Sequence, residues 1–138
     1  MSTPKPSLTH CSIARTLDIV GEKWTLLIVR DIARGMTRFS DIHHSLGCPK
    51  NLLSTRLRTL EKAGILQRTA YQETGARTRW AYHFTESGSA LVPLLLALHH
   101  WGQTYLDAVP QQVPPPACPQ CDGELQLQIL CSNGHLYR

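Results

Sequence analysis

The chain has 138 residues, 42% of them hydrophobic, and a formal charge of +4 at pH 7. That is enough apolar material for one core and a small appendage, and it excludes disorder throughout. The charge is unevenly placed: residues 38–80 hold eight basic side chains against three acidic ones, so the positive excess has a location, as a nucleic-acid footprint does, with a solvated basic surface as the other reading of charge alone.

Residues 1–10 are polar, with no apolar run of signal-peptide length, and a cytoplasmic protein is expected. A helix over 12–20 places Ile13, Leu17 and Val20 on one face and ends at Gly21. A second, over 23–34, turns Trp24, Leu27, Ile28 and Ile32 inward and closes at Gly35. These two read as the helices that build the core. Thr37 or Arg38 opens a short helix over 39–46 with Phe39, Ile42 and Leu46 on one side. Gly47, Cys48 and Pro49 then form a turn; proline is tolerated just before or at a helix start, so the next helix runs from about Lys50 to Ala63 or Gly64.

That helix carries Leu53, Leu57 and Leu60 at i, i+4, i+7, a stripe that must pack inward. Its opposite face holds Asn51, Ser54, Thr55, Arg58 and Lys62, all hydrogen-bonding and none acidic. Segments 65–71 and 78–84 are strand-like, and the glycine turn 73–76 between them makes a basic hairpin. Thr85 caps a final helix through about Asp107, with a break or kink expected at Pro93. Its residues 90–98 are apolar but too few to span a bilayer. Leu91, Leu94, Leu95, Leu98 and Tyr105 make one apolar face and Val92 and Leu96 another. Either a second subunit covers this surplus or the monomer buries it.

The order of parts is that of a winged helix-turn-helix, mainly α with a small β-hairpin wing. The expected organisation is a DNA-binding and dimerisation domain over 1–107, a stiff proline-rich linker over 108–117 and a Cys/His tail over 118–138. Ser54, Thr55 and Arg58 fall where a major-groove helix meets base edges, Arg58 being able to grip guanine with two parallel bonds. Arg38 and Ser40, and Lys50 and Asn51, stand at helix N-termini suited to phosphates. Arg77 and Arg79 suit the adjacent minor groove or its flanking phosphates. Arg56 lies beside the apolar stripe and is expected to reach either a phosphate or a neighbouring acid.

The span from Cys11 to about Gly102, roughly two thirds of the chain, resembles the HxlR-type transcriptional regulators, relatives of the MarR group. The matching pieces are Cys11-Ser12-Ile13-Ala14, the segment 21–28 (GEKWTLLI), Arg38-Phe39-Ser40-Asp41-Ile42, the long run 53–66 (LSTRLRTLEKAGIL), 84–88 (FTESG) and Trp101-Gly102. The resemblance implies a homodimeric DNA binder that represses or activates nearby genes, with the first and last helices forming the dimer interface. It also puts Cys11 where some members carry a cysteine that senses oxidants or electrophiles. His10 and Arg15 nearby favour a thiolate, while a buried structural thiol is the other reading. The signal is thus thiol oxidation or a small ligand. Cys48, in its turn, is expected to be the more exposed thiol. The hairpin tip looks longer and more basic than the family's usual proline-containing one.

Five cysteines in a cytoplasmic chain suggest thiols, metal ligands or redox switches rather than a disulfide framework. The tail reads Cys118-Pro119-Gln120-Cys121, an alternating strand-like Leu125, Leu127, Ile129, then Cys131 and His135. Cys118, Cys121, Cys131 and His135 can close a structural Zn2+ site, and a frayed or redox-active tail is the alternative. Zinc deaminases share a Pro-Cys-x-x-Cys element but need a His-x-Glu pair, which this chain lacks, so no enzyme is expected. The adjacent pairs His43–His44 and His99–His100 diverge by about 100° on a helix and are poor joint ligands. The competing class is a metal- or redox-responsive protein-interaction module with incidental DNA affinity.

Overall fold

The stripe of Leu53, Leu57 and Leu60 becomes the centre of the molecule, each of the three being at most 1% exposed. Burying one such leucine contributes about 1.5–3 kcal/mol, which fixes the orientation of the helix that carries them. The computed structural model describes residues 9–75, 77–107 and 114–137 and falls into two compact units, 1–90 and 91–138.

The first unit contains α1 (Ser12–Val20), α2 (Lys23–Ala33), α3 (Phe39–Leu46), α4 (Lys50–Lys62), β1 (Leu66–Tyr71), β2 (Arg79–Phe84) and a single turn, α5 (Glu86–Ser89). Helix α2 is the hub. It packs on α3 and α4 through Ile28, Val29 and Ile32, all buried, and its first turn is capped by Glu22, which accepts from the Thr25 N–H. Ile28 and Ile32 point inward as expected, whereas Trp24 and Leu27 are only half-buried. Asp31 is fully buried on the same helix, its Oδ1 accepting from Arg30 Nε at 3.1 Å and Nη2 at 3.0 Å and lying 3.6 Å from Arg34 Nη1. A buried carboxylate survives because those two guanidiniums share its charge.

The first helix departs from expectation. Val20 is buried, but Ile13 is 72% and Leu17 56% exposed, so the core belongs to α2, α3, α4 and the hairpin. Spacing defined a face, and among the described residues of this unit that face is left uncovered.

Gly47 takes a left-handed conformation, φ 68°, and ends α3; Pro49 then precedes the first turn of α4. Strands β1 and β2 pair antiparallel from Leu66 opposite Phe84 to Tyr71 opposite Arg79. The hairpin is also tied to the segment before α3: Tyr82 donates its N–H to the Thr37 carbonyl at 2.8 Å, and Arg38 bridges Ala81. At the other end of β2 the Thr85 hydroxyl sits against the carbonyls of Gly64 and Ile65 and accepts from the Gly88 N–H, while Ser87 Oγ donates to Gly64 O at 2.9 Å.

The second unit contains α6 (Val92–Tyr105) and the tail. The expected final helix is broken: α5 ends at Ser89 and α6 restarts with Pro93 in its first turn, where proline's missing N–H costs nothing. On α6, Leu95 is buried while Leu94, Leu98, Trp101 and Tyr105 are 37–72% exposed. No described helix is long and apolar enough to cross a membrane. The part of the proline-rich linker over 108–113 lies outside the described residues, as do residues 1–8 and Ala76 of the hairpin turn.

The alternating stretch 125–129 forms no strand; the described tail has isolated bridges, Ala117 with Glu124 and Leu130 with Leu136, and hydrogen-bonded turns. Alternation needs a paired neighbour along its length to become a strand, and two short turns do not provide one.

Candidate nucleic-acid interface

Because α4 buries its leucines, its other face is presented outward. Lys50, Asn51, Thr55, Arg58 and Lys62 are exposed there, and Ser54 is half-buried. The Thr55 hydroxyl donates to the Asn51 carbonyl at 2.9 Å, which leaves its oxygen lone pairs outward as acceptors. Asn51 Oδ1 accepts from the Leu52 N–H, leaving its amide donors unused by that bond. Ser40 is exposed near the start of α3.

The acids of this region sort its cations into two sets. Arg56 Nε lies 3.1 Å from Glu22 Oε2, Arg68 Nε 3.3 Å from Glu61 Oε2, and Arg38 Nη1 2.7 Å from Glu73 Oε1. Of the two fates expected for Arg56, the neighbouring acid is the one realised. Arg38, expected on a phosphate, instead pairs with the wing and stacks 4.6 Å over the Tyr71 ring. The reason is that hairpin pairing brings Glu73 back beside the α3 N-terminus, a contact 35 residues apart in sequence. Among the described residues, Lys50, Arg58, Lys62, Arg77 and Arg79 form no ion pair, so their charge is unspent. Arg77 and Arg79 are exposed at and beside the tip of the hairpin.

Two features of this region were not legible in sequence. Trp80 is 41% exposed on β2, and Arg68 of β1 stacks 4.3 Å over its ring. Cross-strand register, which pairs Arg68 with Tyr82 and Ala70 with Trp80, makes that diagonal contact, and register was not readable from composition. Tyr82 is the other. Burial first, and the Glu61 charge second, push its phenol above the ordinary 10.0, while Arg68 and Arg58 pull the other way.

The thiols are placed differently from expectation in one case. Cys48 is 2% exposed, not the accessible thiol its turn suggested; it sits between two helices whose apolar faces both turn inward, and a thiol packs there as a small hydrophobe. Cys11 is half-buried at the N-cap of α1, where its carbonyl accepts the Arg15 N–H at 3.0 Å. In the tail, backbone N–H groups of Gln120 first, then Cys121, and then the Cys121 thiol hold the Cys118 thiol below its ordinary 9.0. Among the described residues no three His, Cys, Asp or Glu side chains are gathered around one point.

A helix with a free polar face, a glycine turn ahead of it, and a hairpin pinned to the supporting helix define a winged helix-turn-helix. The model of the HxlR-like helix-turn-helix family matches residues 19–110, and the chain belongs to that family. It is 40% identical over 95 residues to an uncharacterized HTH-type transcriptional regulator, Rv3095, of Mycobacterium tuberculosis, covering 69% of this chain and 59% of that protein. The uncharacterized HTH-type transcriptional regulator YdeP of Bacillus subtilis is 31% identical over 102 residues, 72% of this chain and 77% of its own length. The chain thus spans about three fifths of the first curated relatives it matches.

Among solved structures, PA1607 superposes with a TM-score of 0.80 at 32% identity, covering 96% of this chain and 92% of its own. The redox regulator HypR in its oxidized form gives a TM-score of 0.60 at 31% identity, covering 71% and 100%.

Proposed function

We propose that the chain is a sequence-specific, DNA-binding transcriptional regulator that acts as a homodimer. The observation that carries this reading is the sorting of charge: three arginines are neutralised by structural acids, while Lys50, Arg58, Lys62, Arg77 and Arg79 on the recognition helix and wing form no ion pair among the described residues. Arg58, Ser54 and Thr55 read base edges in the major groove; Ser40, Lys50 and Asn51 hold phosphates; Arg77 and Arg79 meet the neighbouring minor groove. Arg38 is held back from the phosphate set by Glu73 and joins it only when that pair is broken.

Two exposed apolar helix faces support a second subunit: Ile13 and Leu17 on α1, and Leu98, Trp101 and Tyr105 on α6, each more than half exposed in the single chain. A dimer places two recognition helices on half-sites about one helical turn apart. The test is selection of bound duplexes from random DNA, followed by titration at several salt concentrations. A two-fold related site, bound with steep salt dependence, is expected. Weak, sequence-indifferent binding that ignores Arg58→Ala would leave the protein-interaction module as the better account.

Regulation by thiol oxidation belongs to this reading, supported by the likeness to HypR and by the half-buried Cys11 at the helix whose apolar face is free. Operator affinity is expected to change on treatment with peroxide in the wild type and to stay fixed in Cys11→Ser.

A further inference from the structure

The tail contains more construction than its apolar content can support. Residues 114–137 hold no helix and no strand, and Leu127, Ile129, Leu130, Leu136 and Tyr137 are 43–77% exposed. Segments this short do not stay folded on apolar burial and need a metal, a disulfide or a partner.

Two turns are nonetheless tightly specified. In the first, Asp122 donates its N–H to the Cys118 carbonyl at 2.8 Å and Cys118 donates its own to Gly123 at 2.9 Å. In the second, Gly134 donates to the Cys131 carbonyl at 2.9 Å and Cys131 to His135 at 2.8 Å. In the second turn the His135 backbone N–H also donates to Cys131 Sγ at 3.2 Å. Each turn also ends on a second donor, Cys121 in one and His135 in the other. Gly123 belongs to the design, because a Cβ there would stand 3.1 Å from Cys121 Sγ.

We propose that Cys118, Cys121, Cys131 and His135 together hold one structural Zn2+ ion, which joins the two turns into a single folded tail. Three thiolates and an imidazole are a donor set that suits zinc, and four protein ligands leave no open position for catalysis. All three cysteines are free thiols here. No three donors are gathered among the described residues, so holding one ion requires the two turns to be drawn together. That is the behaviour of small metal-dependent modules, in which binding free energy is folding free energy. The site is independent of the DNA-binding reading, because none of its residues lies in the winged helix.

The experiment is metal analysis of the full chain, purified reduced and without chelator, with zinc or cobalt(II) as the only metal supplied. About one zinc per chain is expected. Cobalt loading should give a tetrahedral spectrum with thiolate-to-metal charge transfer, which weakens in Cys131→Ser. Cys118→Ser and Cys131→Ser should lose stoichiometric zinc, and His135→Ala should weaken its retention against a competing chelator. The winged helix should keep its far-ultraviolet signal in all three variants, which separates loss of the site from loss of the fold. A metal-free chain would overturn the proposal, as would zinc held equally well by Cys131→Ser and His135→Ala. A Cys118–Cys121 disulfide that forms in the zinc-supplied reduced protein would overturn it too.

Discussion

Arg38 Nη1 lies 2.7 Å from Glu73 Oε1, tying the residue that opens α3 to the far end of the wing. Both side chains are about half exposed, 48% and 60%, so the pair contributes no more than about 1 kcal/mol to stability. Its consequence is for binding: Glu73 occupies a cation that a phosphate would otherwise hold.

Glu73→Gln should therefore tighten DNA binding at low salt and steepen the slope of log affinity against log salt by about one, the value of one added phosphate contact. Thermal stability should hardly move. A salt titration of wild type and variant on one operator reads this directly. An unchanged slope would mean that the stack on Tyr71, not the carboxylate, keeps Arg38 away from DNA.

Arg56 and Arg58 are two residues apart on α4 and should behave differently. Arg58→Ala is expected to cost about 1–3 kcal/mol of specific affinity and to relax selectivity at one base pair. Arg56 is held by Glu22, so Arg56→Ala should lower stability by less than about 1 kcal/mol and leave base preference intact. Competition between operator and single-base variants, run beside melting curves, separates the two outcomes. Equal loss of specificity in both would mean that Arg56 leaves Glu22 on the complex.

The contrast between these arginines shows what was legible in the sequence. The i, i+4, i+7 leucines located the recognition helix, its buried stripe and its free face, because helical period is a local property. Pro93 likewise marked the break between α5 and α6. The pairing of Arg38 with Glu73 was not legible, since hairpin register created it across 35 residues. Nor was the burial of Cys48, which depends on two helix faces meeting over a turn. Ile13 and Leu17 showed a face, but spacing within one helix says nothing of what lies opposite. The alternation at Leu125, Leu127 and Ile129 misled for the same reason: it described a strand whose partner the fold does not supply.

Gly88 is the tightest joint between the wing and the winged-helix body. A Cβ there would meet the Ile65 carbonyl oxygen at 2.2 Å and Phe84 Cδ1 at 2.8 Å. One of these neighbours is backbone and cannot rotate away, so Gly88→Ala must displace α5 from the hairpin. The expected loss is about 1–3 kcal/mol, as for overpacked cores. At the size of this unit each kcal/mol lowers Tm by about 4–8 °C. Ser87→Ala, which removes the bond to Gly64 O and the contact with the Thr85 hydroxyl, should cost about 1 kcal/mol. Calorimetry of the two variants checks the order; a Gly88→Ala protein as stable as wild type would mean that the helix is free to move off the strand.

Tyr82 makes the alkaline stability of the fold testable. Its folded pKa is raised above 10.0, chiefly because burial disfavours the phenolate and secondarily because Glu61 repels it. Below 10.0 both folded and unfolded chains keep the proton, and the residue adds no pH dependence. Between that value and the raised one, the unfolded chain gives up the proton while the folded chain retains it. The folded state then binds more protons, so stability falls as pH rises through this window and levels off above it. Tyr82→Phe keeps the ring in the core and removes the ionisation, so the difference in urea midpoint between wild type and variant should shrink or reverse as pH climbs past 10.0. Glu61→Gln should narrow the window by removing the repulsion. A difference that stays constant across this range would mean that the phenol is as well solvated in the fold as in the open chain, and that Arg68 and Arg58 offset its burial in full.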